Sequence, residues 1–380
     1  MTSTADRVLM TSDLSFDQRM CPHVPPREEP VRRIRTPAGD EAWLVSGYAE
    51  VRELLGDSRL GRSHPAPDER ACYAGEPTYD QVTAADHQTA DMLHSVLRST
   101  LKPYFSARRM LALRPALRQI VDDQLDRLEA AGQPADLRTG FSTPVILRAL
   151  CELLGVPEPD RSRCVTLMAK AGEGDLAGLA GYLAELVGRL RENPDDSMLS
   201  SLCAAGATDE QVVQLAMVLQ FAGVGATRNQ IDYGVLLLNA HPEQRAALAA
   251  DPEAMPRAVE EILRVSGSAS LPRYARADIE IGGVTIAEND LVLLDLTLAN
   301  VDSAGFDDPG RFDPARSPNR HVTFSHGVWT CLGAPLARLI LRTVFEVLLA
   351  RLPGLRPAGE LVPRSVPLSG GLPERFDVTW

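Results

Sequence analysis

Nowhere do the 380 residues offer the roughly 18 uninterrupted apolar residues that a membrane span needs. The opening stretch, MTSTADRVLMTSDLSFDQRM, carries no apolar run of signal-peptide type. These two absences lead to the expectation of a soluble, cytoplasmic protein that does not engage a membrane. Positive charge is scarce: 39 Lys and Arg stand against 51 Asp and Glu, for a net charge of -12. That balance argues against nucleic acid as a partner. The six cysteines, Cys21, Cys72, Cys151, Cys164, Cys203 and Cys331, show no CxxC spacing, so neither a zinc site nor a disulfide framework is indicated. Repeats, low-complexity tracts and linkers are missing too. What remains is 44% hydrophobic and 24% charged, enough to bury a large core.

The pattern is mainly α with a small β portion, expected as one domain over 1–380. AWLVSG (42–47) reads as a strand and YAEVRELLGD (48–57) as an amphipathic helix. Residues 61–90 are rich in Pro, Gly and Asp and read as a long loop. Helical patterns dominate from 92 to 267. In TDEQ, Thr208 is an expected N-cap and Gln211 closes a capping box, opening a helix to about 238. Residues 277–296 turn strand-like, 302–323 are irregular, and a last long helix follows Cys331.

Cys331 has unusual surroundings. It sits in FSHGVWTCLG (324–333), with Gly327 before it, Gly333 after it and an apolar helix beginning there. A lone cysteine is usually a small buried side chain. At a helix N-terminus, however, peptide N–H groups favour an anion, and a thiol placed there is expected to have a depressed pKa. The glycines are expected to let the backbone pass close to something flat and wide. No His or Asp lies at protease-like local spacing. A thiolate with such clearance suits an axial ligand to heme iron.

FSHGVWTCLG resembles the heme-binding loop of the cytochromes P-450, F-x-x-G-x-x-x-C-x-G, in which Phe324, Gly327, Cys331 and Gly333 are the matching positions. Glu261 and Arg264 in EEILR match the family's E-x-x-R, and Arg316 in FDPAR matches the arginine of its ion-paired triad. The likeness covers nearly the whole chain and is to the soluble bacterial branch. It implies the cytochrome P-450 fold, heme b as cofactor with Cys331 as the iron ligand, a monooxygenase or oxidase activity in secondary metabolite biosynthesis, and a ferredoxin-type electron donor. It also implies that His94 and Arg98 (an H-x-x-x-R pair), with Arg273, hold the heme propionates. By themselves, His94 and Arg98 read as a solvated helix face, and Arg273 as a surface arginine.

Two departures from the family pattern stand out. Many relatives carry histidine where Trp329 stands, so Trp329 either gives the propionate one neutral hydrogen bond or packs against the heme edge. In LQFAGVGATRNQ, Ala222 and Gly223 match the A-G pair of the oxygen-side helix. The acid and alcohol that usually follow are replaced by Gly225 and Ala226, with Thr227 next. Either the GVG stretch is a close-packing patch, or protons arrive through water, Thr227 or the substrate, or another oxidant such as peroxide is used. The candidate catalytic residues are therefore Gly223, Ala226 and Thr227.

Six cations and no acid lie between 97 and 118 (Arg98, Lys102, Arg108, Arg109, Arg114, Arg118), either a docking patch for an acidic partner or a solvated helix. In the family, two helices roof the pocket between segments like VPEPDRSRC and LAGYLAELVGRL. Here only residues 165–178 separate them, and Gly172, Gly174 and Gly178 weaken helix propensity, so a short, flexible roof is expected. Such a roof suits a bulky substrate, and the expectation is aromatic oxidation or cross-linking of a large molecule, with a peptide or a carrier-bound or aromatic natural product as the candidates. The alternatives are hydroxylation of a compact small molecule, or a heme-binding module that has lost oxygenase chemistry.

Overall fold

The computed structural model describes residues 29–36, 38–73, 87–266, 270–359 and 375–380. The N-terminal stretch, Cys21 and residues 74–86 of the expected loop lie outside them. The chain opens with an antiparallel pair, β1 (Val31–Arg35) and β2 (Glu41–Val45), then α1 (Tyr48–Gly56) and a two-residue strand, β3 (Leu60–Gly61). Helices follow: α2 (His87–Leu101), α3 (Ala107–Ala131), α4 (Thr143–Leu154), α5 (Arg161–Gly172), α6 (Leu176–Glu192) and α7 (Met198–Ala204). The longest helix is α8 (Asp209–Ala240), then come α9 (Pro242–Ala250) and α10 (Met255–Val265). A β4 pair-former (Ala135–Asp136) sits between α3 and α4. Strands β5 (Ser270–Ala275), β6 (Ile279–Ile281), β7 (Val284–Ile286) and β8 (Leu291–Asp295) precede α11 (Leu296–Asn300) and α12 (Ala334–Arg351).

The expected mainly α pattern with a small β portion is what forms. The TDEQ capping box is present: Gln211 N–H donates to Thr208 Oγ1 at 3.3 Å, and Gln211 Oε1 accepts from Thr208 N–H at 2.9 Å. The main sheet has the order β1-β2-β8-β5-β3, with β2 and β8 parallel and the other pairs antiparallel. Its apolar residues, such as Val45, Val292 and Leu294, pack with Leu54 and Leu55 of α1. The larger core lies among the helices, where α8 packs on α4, α6 and α12. Gly234 of α8 allows the last contact, since a Cβ there would lie 2.1 Å from the Phe345 ring.

The segment before Cys331 has no regular structure from 302 to 323, as expected, and is held by charge. Glu261 and Arg264 are fully buried. Arg264 donates from Nε and Nη2 to Glu261 at 2.8 Å each, and Arg316 Nε lies 3.2 Å from both carboxylate oxygens. Asp313 N–H and Asn319 Nδ2 each add a bond at 3.0 Å. The arginines spend their other donors on backbone carbonyls of Asn300, Pro309 and Asp307. The weak solvated pair that an i, i+3 spacing would suggest is excluded. Breaking a buried pair by removing one charge costs about 3–5 kcal/mol. Glu261→Gln should therefore lower the urea midpoint of unfolding by a corresponding amount, measured by circular dichroism. An unchanged midpoint would mean that the triad does not hold this segment.

Candidate active site

The Cys331 loop is shaped by two residues with left-handed backbone, Ser325 (φ 63°) and Gly327 (φ 65°). A short turn over Gly327–Trp329 follows, and Cys331 N–H closes the loop by donating to Phe324 O at 2.7 Å. Gly327 has a different purpose from the one expected. A Cβ there would come within 2.9 Å of Leu55 O and 3.1 Å of Gly56 Cα, so it lets the loop dock on the end of α1. Gly333 does face the thiol: a Cβ on it would be 4.0 Å from Cys331 Sγ.

The Cys331 sulfur accepts N–H donation from Gly333 and Ala334 at the start of α12, as the helix-terminus argument requires. The expected depressed pKa is nevertheless overturned. Burial pushes the thiol up, and the N–H groups and the more distant Arg338 and Arg98 offset this only in part. Cys331 as a residue still has exposed surface.

Next to the sulfur lies a cluster of donors. The His94 ring on α2 stacks on Trp329, with centroids 3.7 Å apart. The Arg62 guanidinium lies 4.5 Å from the Trp329 ring and that of Arg273 lies 5.6 Å from it. Arg98 donates to Thr330 O, one residue before Cys331. The pairing of Gly61 with Tyr274 explains how Arg62 comes to Arg273: the next step along the same ladder sets them side by side. Asp91 fixes α2 by a bidentate pair with Arg276 at 2.7 and 2.8 Å, and bare Gly61 leaves room for that guanidinium. Arg62 was not foreseen. Its signal is a register between a two-residue strand and one 200 residues later, which local periodicity does not carry.

His94 is pushed down to about 4, by burial first and then by Arg62 and Arg98. Three guanidiniums and an imidazole converging in this way form a set suited to a dianion, and the two propionates of a heme fit it. The residues that would hold heme are thus Cys331 at the iron and His94, Arg98, Arg273 and Arg62 at the rim. Trp329 is the aromatic platform against which His94 and two guanidiniums are ordered. Phe324 lies behind the loop, half-buried, with the Arg338 guanidinium 4.5 Å from its ring.

On α8, Val218, Phe221, Ala222, Gly225 and Ala226 recur at i, i+3, i+4, i+7 and i+8, forming one open apolar stripe. Val218 is 42% and Phe221 48% exposed, which is unusual for such side chains in a chain with a full core. The close-packing reading of GVG fails: a Cβ on Gly225 would meet nothing within 4 Å, and one on Gly223 only Leu150 at 3.9 Å. Thr227 is 8% exposed and about 100° around the helix from Ala226, so it turns into the core and leaves the stripe.

The weak helix propensity expected of residues 165–178 does not keep them from forming helix: residues 165–172 continue α5, residues 176–178 begin α6, and residues 173–175 join the two. Gly174 (φ 107°) supplies the turn, while at Gly178 a Cβ would lie only 3.2 Å from Leu167. Buried Leu179, Tyr182 and Leu183 hold α6, and Gln220 of α8 donates to Met168 O at 2.6 Å. Of the six cations of 97–118, Arg98 turns inward, Arg118 pairs with Asp122 at 2.7 Å, and Lys102, Arg108, Arg109 and Arg114 are exposed.

Comparison with known proteins agrees with this geometry. A family model described as Cytochrome P450 matches residues 189–353. Pentalenolactone synthase of Streptomyces exfoliatus is 37% identical over 351 residues, covering 87% of this chain and 88% of the relative. Mycinamicin IV hydroxylase/epoxidase of Micromonospora griseorubida is 39% identical over 346 residues, 86% of each. The solved structure of a substrate-free polyene macrolide antibiotic pimaricin epoxidase superposes with a TM-score of 0.84 at 45% identity, covering 93% of both chains. Among the described residues, no helix is long and apolar enough to cross a membrane.

Two outcomes are expected. Reduced protein with carbon monoxide should show the red-shifted thiolate band, and Cys331→Ala should lose it; a variant that keeps the band would displace Cys331 as ligand. In heme-free protein, His94 stays neutral down to about 4, whereas unfolded chain takes up the proton near 6.5. Folded protein therefore loses stability as pH falls through that window. The stability margin of wild type over His94→Gln should shrink between pH 7 and pH 4.5 in thermal melts, and a constant margin would refute the depressed titration.

Proposed function

The chain belongs to the cytochrome P450 family, and from that premise we propose that this monooxygenase of bacterial secondary metabolism acts on a bulky, largely apolar natural product laid along the open stripe of α8. The observation that carries the proposal is the pairing of half-exposed Val218 and Phe221 with the unfilled side of Gly225. A compact substrate would not cover two turns of helix. The polyene macrolide in the description of the pimaricin epoxidase supports a large ring system.

When bound, heme supplies reductive activation of dioxygen at an iron ligated by sulfur. The chain's own part is positioning and proton supply. Gly333 and Ala334 N–H groups hold the sulfur, and Arg62, His94, Arg98 and Arg273 would hold the propionates. Insertion of one oxygen atom into a C–H bond, or across C=C, takes two electrons and two protons and releases one water. The electrons come from a ferredoxin-type donor, which the exposed Lys102, Arg108, Arg109 and Arg114 would attract if it is acidic. Neither Gly225 nor Ala226 can hand on a proton, and Thr227 is turned away. Protons therefore reach the stripe through water above Gly225 or through a hydroxyl of the substrate. A positioned donor is worth about 10²–10⁴ in rate, so the substitute must be in place during turnover.

Oxidative coupling of an aromatic or peptidic substrate is the second reading. It is favoured by the missing acid and alcohol if peroxide is the oxidant: two substrate C–H or O–H bonds and one hydrogen peroxide give the coupled product and two waters, with no delivered proton or electron.

Macrolide-sized and compact terpenoid ligands should separate these readings by substrate-induced shifts of the heme band, with product analysis for those that bind. Tight binding of compact ligands alone would sink the bulky-substrate proposal. Gly225→Glu with Ala226→Thr should leave coupled product formation unchanged or lower, since the new side chains occupy the proton route. A large gain would show instead that the native site lacks any substitute donor.

A further inference from the structure

Two consecutive glutamates on α10 point to two different charge systems. Glu261 enters the buried triad. Glu260 faces the other way and meets Arg338 of α12, whose Nε and Nη2 donate to it at 2.7 and 2.8 Å. His321 Nε2 lies 3.1 Å from the same carboxylate. His321 Nδ1 accepts from Thr323 N–H at 3.3 Å, so a neutral His321 carries its proton on Nε2 and donates it to Glu260. The bidentate hold fixes the Arg338 guanidinium 4.5 Å from the centroid of Phe324, and the His321 ring is 6.1 Å from the same ring. Phe324 is the residue whose carbonyl accepts Cys331 N–H at 2.7 Å. Arg338 lies in the second turn of α12, near enough to Cys331 for its charge to act on the sulfur. A fixed cation thus stands directly behind the sulfur loop, and a fixed anion stands behind the cation.

We propose that the Glu260–Arg338 pair sets the reduction potential of the heme: Arg338, ordered against Phe324, favours the added electron, and Glu260 limits that effect. This rests on Cys331 being the iron ligand. The reasoning is Coulombic. Ferric heme with a thiolate is neutral at its centre, and one-electron reduction makes it an anion. A cation behind the sulfur stabilises the reduced form, and an anion destabilises it. Both groups are partly buried, so solvent screens them less than it would on an open surface. Arg338 and Glu260 are positioning and tuning residues; neither touches the cofactor or a substrate. Pairing with Arg338 also makes the Phe324 ring a rigid support, but support alone does not distinguish the sign of a charge.

That sign supplies the test. Reduction potentials of the heme-loaded protein would be measured by dye-equilibrated titration for wild type, Arg338→Gln, Arg338→Lys, Glu260→Gln and the double variant Glu260→Gln/Arg338→Gln. Arg338→Gln should make reduction about tenfold less favourable, which is 59 mV for one electron. Glu260→Gln should shift it the opposite way, and the double variant should return towards wild type. Arg338→Lys keeps the charge and should recover most of the loss. Shifts of the same sign in both single variants, or none in either, would overturn the proposal. If one single variant does not load heme, the other compared with the double variant still isolates one charge, and a shift of the wrong sign, or none, would overturn the proposal. Failure of the ligand assignment is read separately, from the carbon monoxide band of Cys331→Ala.

Discussion

A carboxylate with no exposed surface can remain charged only if its oxygens are saturated, and Glu261 is the case on which the site depends. Its two oxygens take six hydrogen bonds from Arg264, Arg316, Asp313 and Asn319. The arginines in turn donate to carbonyls of the irregular segment at Pro309 and Asp307 and to that of Asn300 at the end of α11. An irregular segment has few ladder bonds of its own, so its backbone groups need other partners. The ion cluster provides them. It thereby fixes where the chain enters the sulfur loop, and so where Cys331 meets the start of α12.

The site then divides into two electrostatic regions. Cations gather at the rim around Trp329, where Arg62, His94, Arg98 and Arg273 match an anionic group. Behind the loop, charge is balanced within the protein by Glu260 and Arg338. The apolar stripe of α8 carries no charge between Val218 and Thr227. Anchoring, tuning and substrate contact are therefore assigned to separate surfaces. A change in one can leave the others intact.

Features with a local signal were legible in the sequence. The capping box at Thr208 and Gln211 needs only four residues, and the Cys331 loop needs ten. The strand and helix at 42–57 follow from short-range periodicity. What was not legible depends on distant pairing or on burial. Arg62 reaches the rim through register with β5, and Glu260 reaches Arg338 across 78 residues. Residues 165–172 and 176–178 are helical despite their glycines, because the burial of Leu179, Tyr182 and Leu183 overrides propensity. The thiol of Cys331 differs from expectation for a related reason: a sequence shows that a helix begins there, but not how far desolvation of the sulfur offsets the N–H groups.

The rim also has a consequence for how the molecule assembles. Its parts come from residue 62, residues 94–98, residue 273 and residue 329, and no two of these lie within one local element. They meet only after β3 has closed on β5 and α2 has docked through Asp91. Such long closures are entropically late, because contacts of high sequence separation are rewarded only when most of the chain is already ordered. When they do form, they bring three guanidiniums together. A dianion arriving at that stage relieves the repulsion, so the cofactor would serve the newly folded chain first as a counterion.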